Sequence, residues 1–182
     1  MQSKGNIFNL IRINLNLNLI FLLQSSRKIK MMSYKVVLFG MSGVGKTEFI
    51  NKINGNLFES KHYPSLGYTI HLIRFNTNIG SIIEFEVWDG YPISLNAEAC
   101  IGIMDTSKIS RKIVHEDYEK IGGNLPVVFI VNKCETKQNH SRLFPQKAVF
   151  MSVKDNINVE LPLLILARQL CNNPNLLLTE QV

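Results

Sequence analysis

The sequence predicts an α/β domain built on a mostly parallel, covered sheet. Three observations carry that expectation. Short continuous apolar runs recur along the chain, the pattern of strands buried on both faces. Segments of helical spacing alternate with them. A glycine-rich stretch joins the first apolar run to the first helical segment, as ligand loops do at the carboxyl ends of parallel strands.

The elements follow in order. Lys35–Phe39 (KVVLF) reads as a buried strand stopped by Gly40. Thr47–Ile53 (TEFINKI) has helical spacing and ends at Asn54-Gly55. Tyr68–Phe75 and Ser81–Trp88 are β-rich runs joined by Thr77-Asn78-Ile79-Gly80, a hairpin signal. Ala99–Met104, Val127–Val131 and the shorter Ala148–Met151 are further strands. Helices fill Ser110–Ile121 and Val159–Cys171, with Pro162 in the first turn of the latter, where it is tolerated. No internal repeat and no second domain is visible.

Charge is unevenly spread. The 182 residues carry a formal +6. Residues 1–33 hold Lys4, Arg12, Arg27, Lys28 and Lys30 and no acidic residue, whereas residues 34–182 hold 15 basic and 14 acidic. The body is nearly neutral, which argues against a nucleic-acid groove binder. Within residues 1–33, asparagine alternates with leucine or isoleucine around Arg12. The run is too short and too polar for a membrane span. It reads as a low-complexity basic extension or an over-long start, with a signal peptide or an organellar presequence as alternatives. Cys100, Cys134 and Cys171 are widely spaced and odd in number, so no disulfide framework or zinc site is expected.

Gly40-Met41-Ser42-Gly43-Val44-Gly45-Lys46-Thr47 matches GxxxxGK[ST] after a strand and before a helix. Glycines permit the tight loop, whose N–H groups can point at phosphate oxygens. The helix N-terminus, reaching to Glu48, adds a favourable dipole. Lys46 can reach β- and γ-phosphates, and Thr47 can ligate Mg²⁺. The motif alone leaves ATPases, kinases and GTPases open. Asn132-Lys133-Cys134-Glu135 follows the VVFIV strand, where a carboxylate could accept the guanine N1–H and N2–H₂ bonds that adenine does not offer. Ser152-Val153-Lys154 follows the next strand and would bring a third loop to the base.

With these residues the chain resembles the small GTPases, and among them the Ran family. Phe58–Gly67 is similar to the family's first switch; His71, Phe75, Thr77-Asn78, Gly80 and Val87-Trp88-Asp89 follow its hairpin. Leu166-Ala167-Arg168, Leu170 and Pro174-Asn175-Leu176 are similar to its last helix and the following turn. The similarity covers about residues 34–178, leaving 179–182 as a short tail. It implies a P-loop fold with a six-stranded sheet, one antiparallel hairpin strand and helices on both faces. It implies GTP or GDP with Mg²⁺ as cofactors, with Gly40 to Glu48, Phe58, Ser65, Asn132, Lys133, Glu135, Ser152, Val153 and Lys154 at the nucleotide. Thr47, Ser65 and Asp89 would serve the metal. Phe58 would lie against the guanine, and Ser65 stands where the family has its switch threonine. Glu135 replaces the family's guanine-reading aspartate, and the added methylene bears on affinity more than on base choice.

The second switch departs most. The family reads Asp-x-x-Gly-Gln and then about a dozen residues of loop and helix. Here Asp89-Gly90-Tyr91-Pro92-Ile93 runs almost directly into the next strand, and no glutamine or arginine occurs from Asp89 to Asp105. No catalytic residue is therefore identified, and Glu98 is a weak candidate for a substitute base. The acidic tail of Ran has no counterpart, and Thr-Glu-Gln-Val holds no cysteine for a prenyl anchor. The resemblance implies a cytoplasmic or nuclear monomer that engages nuclear-transport receptors or Ran regulators, without direct nucleic-acid binding. Two functions compete: a nucleotide-holding pseudo-GTPase in nucleocytoplasmic transport, and an active switch whose missing group comes from a partner. A P-loop enzyme acting on ATP is a weaker rival.

Overall fold

Strand β1 spans Lys30–Phe39, and only its second half is buried on both faces. In this computed structural model, the described residues are 29–55, 60–63, 67–90, 96–105, 108–120, 124–134 and 148–182. Helix α1 (Lys46–Asn54) follows the glycine-rich loop and stops at Gly55, whose φ of 60° closes the helix in the left-handed region. Strands β2 (Ser60–Tyr63), β3 (Tyr68–Thr77) and β4 (Ser81–Asp89) come next, then β5 (Ala99–Met104). Helix α2 (Lys108–Lys120), strands β6 (Val127–Val131) and β7 (Val149–Phe150), helix α3 (Leu161–Leu170) and strand β8 (Leu178–Gln181) complete the order.

The sheet is mixed. Its order is β2-β3-β4-β1-β5-β6-β7, with β8 pairing β3 as well. Strands β1, β5, β6 and β7 run parallel, as their continuous apolar sequences predict. The β2–β3, β3–β4 and β3–β8 pairs are antiparallel. Among the described residues eight strands therefore stand where six were expected, and antiparallel pairing extends beyond one hairpin. Both additional strands, β2 and β8, are four residues long.

Strand alternation builds two apolar layers, and Met31–Val182 gathers around them as one compact unit. Val36 and Leu38 of β1, Ile101 and Ile103 of β5 and Ile73 and Phe85 of the hairpin face one side. There they meet Phe49, Ile50 and Ile53 of α1 and Leu163, Leu166 and Ala167 of α3. Phe39, Cys100, Met104 and Val131 face the other side, where Val114 of α2 covers them. Helices thus lie on both faces. Burial pushes the Cys100 thiol up to about 12, so it stays protonated in its apolar layer.

Where α2 does not reach, the second face carries polar pairs instead. The Arg74 Nε–H donates to Glu84 Oε2 at 2.7 Å, and the Ser33 hydroxyl donates to Glu84 Oε1 at 2.8 Å. Burial alone would raise the Glu84 carboxyl, but these two hydrogen bonds and the Arg74 charge hold it below its ordinary range. Trp88 stacks on Tyr68 at 4.9 Å between centroids, and the Lys35 ammonium lies 3.7 Å from its ring centre. The half-buried indole is thus packed against both groups.

Strand β8 owes its position to Asn78 in the hairpin turn. The Asn78 amide donates to the Asn175 carbonyl, its side-chain oxygen accepts the Leu177 N–H, and its backbone N–H donates to the Leu177 carbonyl. Arg168 of α3 adds a bond to the Leu176 carbonyl at 2.9 Å. The chain leaving α3 is thereby steered onto the edge of β3.

Candidate functional site

The glycine-rich loop leaves the carboxyl end of β1, at the rim where parallel α/β sheets hold ligands. Gly40, with φ of 137°, sits so close to β5 that a Cβ there would lie 2.1 Å from the Ile103 carbonyl. Gly45, with φ of 100°, sits so close to the next loop that a Cβ would lie 2.3 Å from Asn132 Nδ2. Both positions exclude a side chain on space as well as on conformation. Val44 is buried and Ser42 exposed.

Lys46 reaches back along the loop. Its ammonium donates to the Gly40 and Met41 carbonyls, both at 2.9 Å. The first α1 hydrogen bond runs from the Phe49 N–H to the Gly45 carbonyl at 2.9 Å. The N–H groups of Lys46, Thr47 and Glu48 precede it, and intrahelical bonding leaves them for a ligand. The Thr47 hydroxyl donates to Asp89 Oδ2 at 3.4 Å, so β4 delivers its last residue to the loop. Hydroxyl and carboxylate oxygens together are the donor type a hard divalent cation takes.

The loop after β6 closes the site from the other side. Asn132 Nδ2 donates to the Val44 carbonyl at 2.9 Å in a buried bond, and Asn132 Oδ1 accepts the Val153 N–H at 3.2 Å. One side chain thereby ties the glycine loop to the loops after β6 and β7. Lys133, held at φ of 61°, donates to the Gly43 carbonyl at 2.8 Å. Ser152 is fully buried, and its hydroxyl accepts the Asp155 N–H at 3.1 Å. It shapes its loop, whereas Val153 and Lys154 line the opening.

Gly43, Gly45, Glu48, Asn132, Lys133, Val153 and Lys154 together line a pocket of about 360 Å³. The residues fit a phosphate-bearing ligand with a bound cation. The glycine positions form a cradle that side chains would fill, α1 turns its N-terminus to it, and lysines border it on two sides. Phe58, Ser65 and Glu135 lie outside the described residues, as does the second switch from residue 91 to 95.

Glu98 is far from this site. Its carboxylate accepts the Lys35 N–H at 2.9 Å, and its own N–H donates to the Lys35 carbonyl. Both contacts are at Lys35, midway along β1, and at the start of β5, five residues and so roughly 16 Å from Gly40 at about 3.3 Å per strand residue. Position in the sheet rules Glu98 out as a base at this pocket. The same geometry reveals a tight connection. Asp89 ends at the loop side and Ala99 starts at the opposite side, joined by the nine residues from Gly90 to Glu98. Crossovers between parallel strands ordinarily take a dozen or more residues, usually with a helix.

His71 is buried on β3, and burial lowers its pKa against the pull of Asp89. His115 is exposed on α2. The loops after β1, β6 and β7 meet at one rim. Sequence reasoning did not anticipate that Asn132 would bridge all three, because that depends on the close approach allowed by Gly45. The glycine in the motif was the only available signal. No known family profile matches the chain.

Proposed function

We propose that this protein binds guanine nucleotides, GTP or GDP with Mg²⁺, as a Ran-like small GTPase whose hydrolysis is weak or absent. The observation that carries the reading is the Asn132 bridge. A full GxxxxGK[ST] loop shares one side chain with the loops after β6 and β7 around a single pocket. Gly43, Gly45, Lys46 and the first turn of α1 would hold the phosphates, and Thr47 and Asp89 would hold the cation. Lys133, Val153 and Lys154 would border the base. Bound Mg²⁺ would supply charge neutralisation for the phosphate chain. Slow turnover is supported by the absence of glutamine and arginine from Asp89 to Asp105 and by the nine-residue link that follows Asp89. A role in nucleocytoplasmic transport, with transport receptors or Ran regulators as partners in the cytosol or nucleus, rests on the resemblance over residues 34–178.

The test is a titration of labelled GDP and ADP against the full chain with Mg²⁺. Guanine is expected to bind and adenine not, and Lys46→Ala to remove most of the affinity. Equal affinity for the two bases, no binding of either, or an indifferent Lys46→Ala would overturn the reading.

A further inference from the structure

Among the described residues Glu48 is the one acidic residue lining the pocket, with glycines, Asn132, Val153, Lys133 and Lys154 as the other lining residues. It occupies the first turn of α1, directly after Thr47, and is exposed. Its backbone N–H is one of the helix-terminal donors that a phosphate chain would use. As a lining residue Glu48 adds an acidic group to the pocket in which the ligand's own negative charges would lie. Lys46 and Lys133 already donate to loop carbonyls, which engages part of their hydrogen-bonding capacity. A carboxylate in a helix's first turn also satisfies the helix dipole that the ligand would otherwise satisfy. Both effects oppose a polyphosphate, and neither opposes the folded protein.

We infer that Glu48 is an affinity-setting residue that makes the site release its nucleotide quickly. The inference rests on the guanine-nucleotide reading above and deepens it. The pocket holds a phosphate chain against a built-in like charge, so nucleotide exchange requires no partner to pry the site open. Removing one charge repulsion across a partly solvated pocket should slow release roughly ten- to a hundredfold.

The experiment loads the full chain with fluorescent GDP and Mg²⁺, then measures release after an excess of unlabelled GDP. Glu48→Gln removes the charge at nearly constant size, Glu48→Asp keeps it, and melting curves establish that each variant folds. Slower release from Glu48→Gln, with Glu48→Asp still fast, supports the inference. Salt provides an independent readout. The Debye length falls from about 10 Å at 0.1 M to about 3 Å at 1 M, so the gap between Glu48→Gln and the unaltered chain should narrow with salt. A gap that ignores salt would mean that the substitution acts through shape, and would overturn the inference. Binding of GDP with unchanged release in Glu48→Gln would overturn this inference alone. Failure of the unaltered chain to bind any guanine nucleotide would overturn both readings.

Discussion

Replacing Gly45 by alanine should cost far more than replacing Gly43, although both belong to the same loop and both have positive φ. At Gly43 the φ is 78° and a Cβ meets nothing within 4 Å, so the cost is backbone strain alone, about 1–2 kcal/mol. At Gly45 the φ is 100° and the Cβ would press on Asn132 Nδ2 at 2.3 Å. Asn132 cannot retreat without leaving the Val44 carbonyl and the Val153 N–H short of their partner. An unsatisfied buried group adds about 1–3 kcal/mol. The total for Gly45→Ala is about 2–5 kcal/mol, a large part of the ~5–15 kcal/mol by which domains are stable. Urea unfolding can be followed by the fluorescence of Trp88, the chain's single tryptophan. With a slope of ~1–3 kcal/mol per molar, the midpoint should drop by about 2 M for Gly45→Ala and by under 1 M for Gly43→Ala. In an Asn132→Ala background the extra cost should vanish, because the clash has no second partner. Equal midpoints for the two glycine variants, or an undiminished cost beside Asn132→Ala, would refute the bridge as the reason Gly45 is glycine.

Three further outcomes are expected. GTP cleavage in single turnover should stay at or below about 10⁻⁴ s⁻¹ with or without a Ran-type activating protein; completion within seconds of adding it would show that a partner supplies the missing group. Glu98→Gln should leave that rate unchanged, and a further loss would contradict its placement at the far end of the sheet. Glu84→Gln should destabilise the fold by about 1 kcal/mol at pH 7. The Glu84 carboxyl lies below its ordinary 4.5 when folded, so its contribution is present above that value and is lost as pH falls through the lowered one. Melts of the two chains should therefore converge as pH falls below that range, and a difference that persists in acid would assign the effect to packing.

Legibility in the sequence followed the range of the interactions. Strands β5 and β6 were read to the residue, because continuous apolar runs state their own boundaries. The first helix and its end were equally local, written in the Lys46-Thr47 start and the Gly55 stop. Strand β1 begins at Lys30, ahead of the apolar run, because pairing can extend a strand through residues that stay exposed. Strands β2 and β8 had no local signature, and β8 depends on Asn78 gripping a segment almost a hundred residues later. At the site, loop membership was visible in the residue types. The Asn132 bridge and the remoteness of Glu98 were not, since both follow from how strands register across the sheet. Phe58, Ser65 and Glu135 lie outside the described residues.

The edge of β3 has a consequence for molecular recognition. Strand β2 pairs it from Tyr68 to His71, β8 pairs it at Phe75 and Thr77, and the Val182 N–H takes the Arg74 carbonyl. Among the described residues, the stretch around Leu72 and Ile73 is left between these two covers. At the opposite margin β7 offers a strand of two residues. Such short, interrupted borders give a foreign strand little backbone to copy, which guards against sheet-to-sheet aggregation. What the molecule offers at these margins is therefore side chains and loops more than open strand backbone.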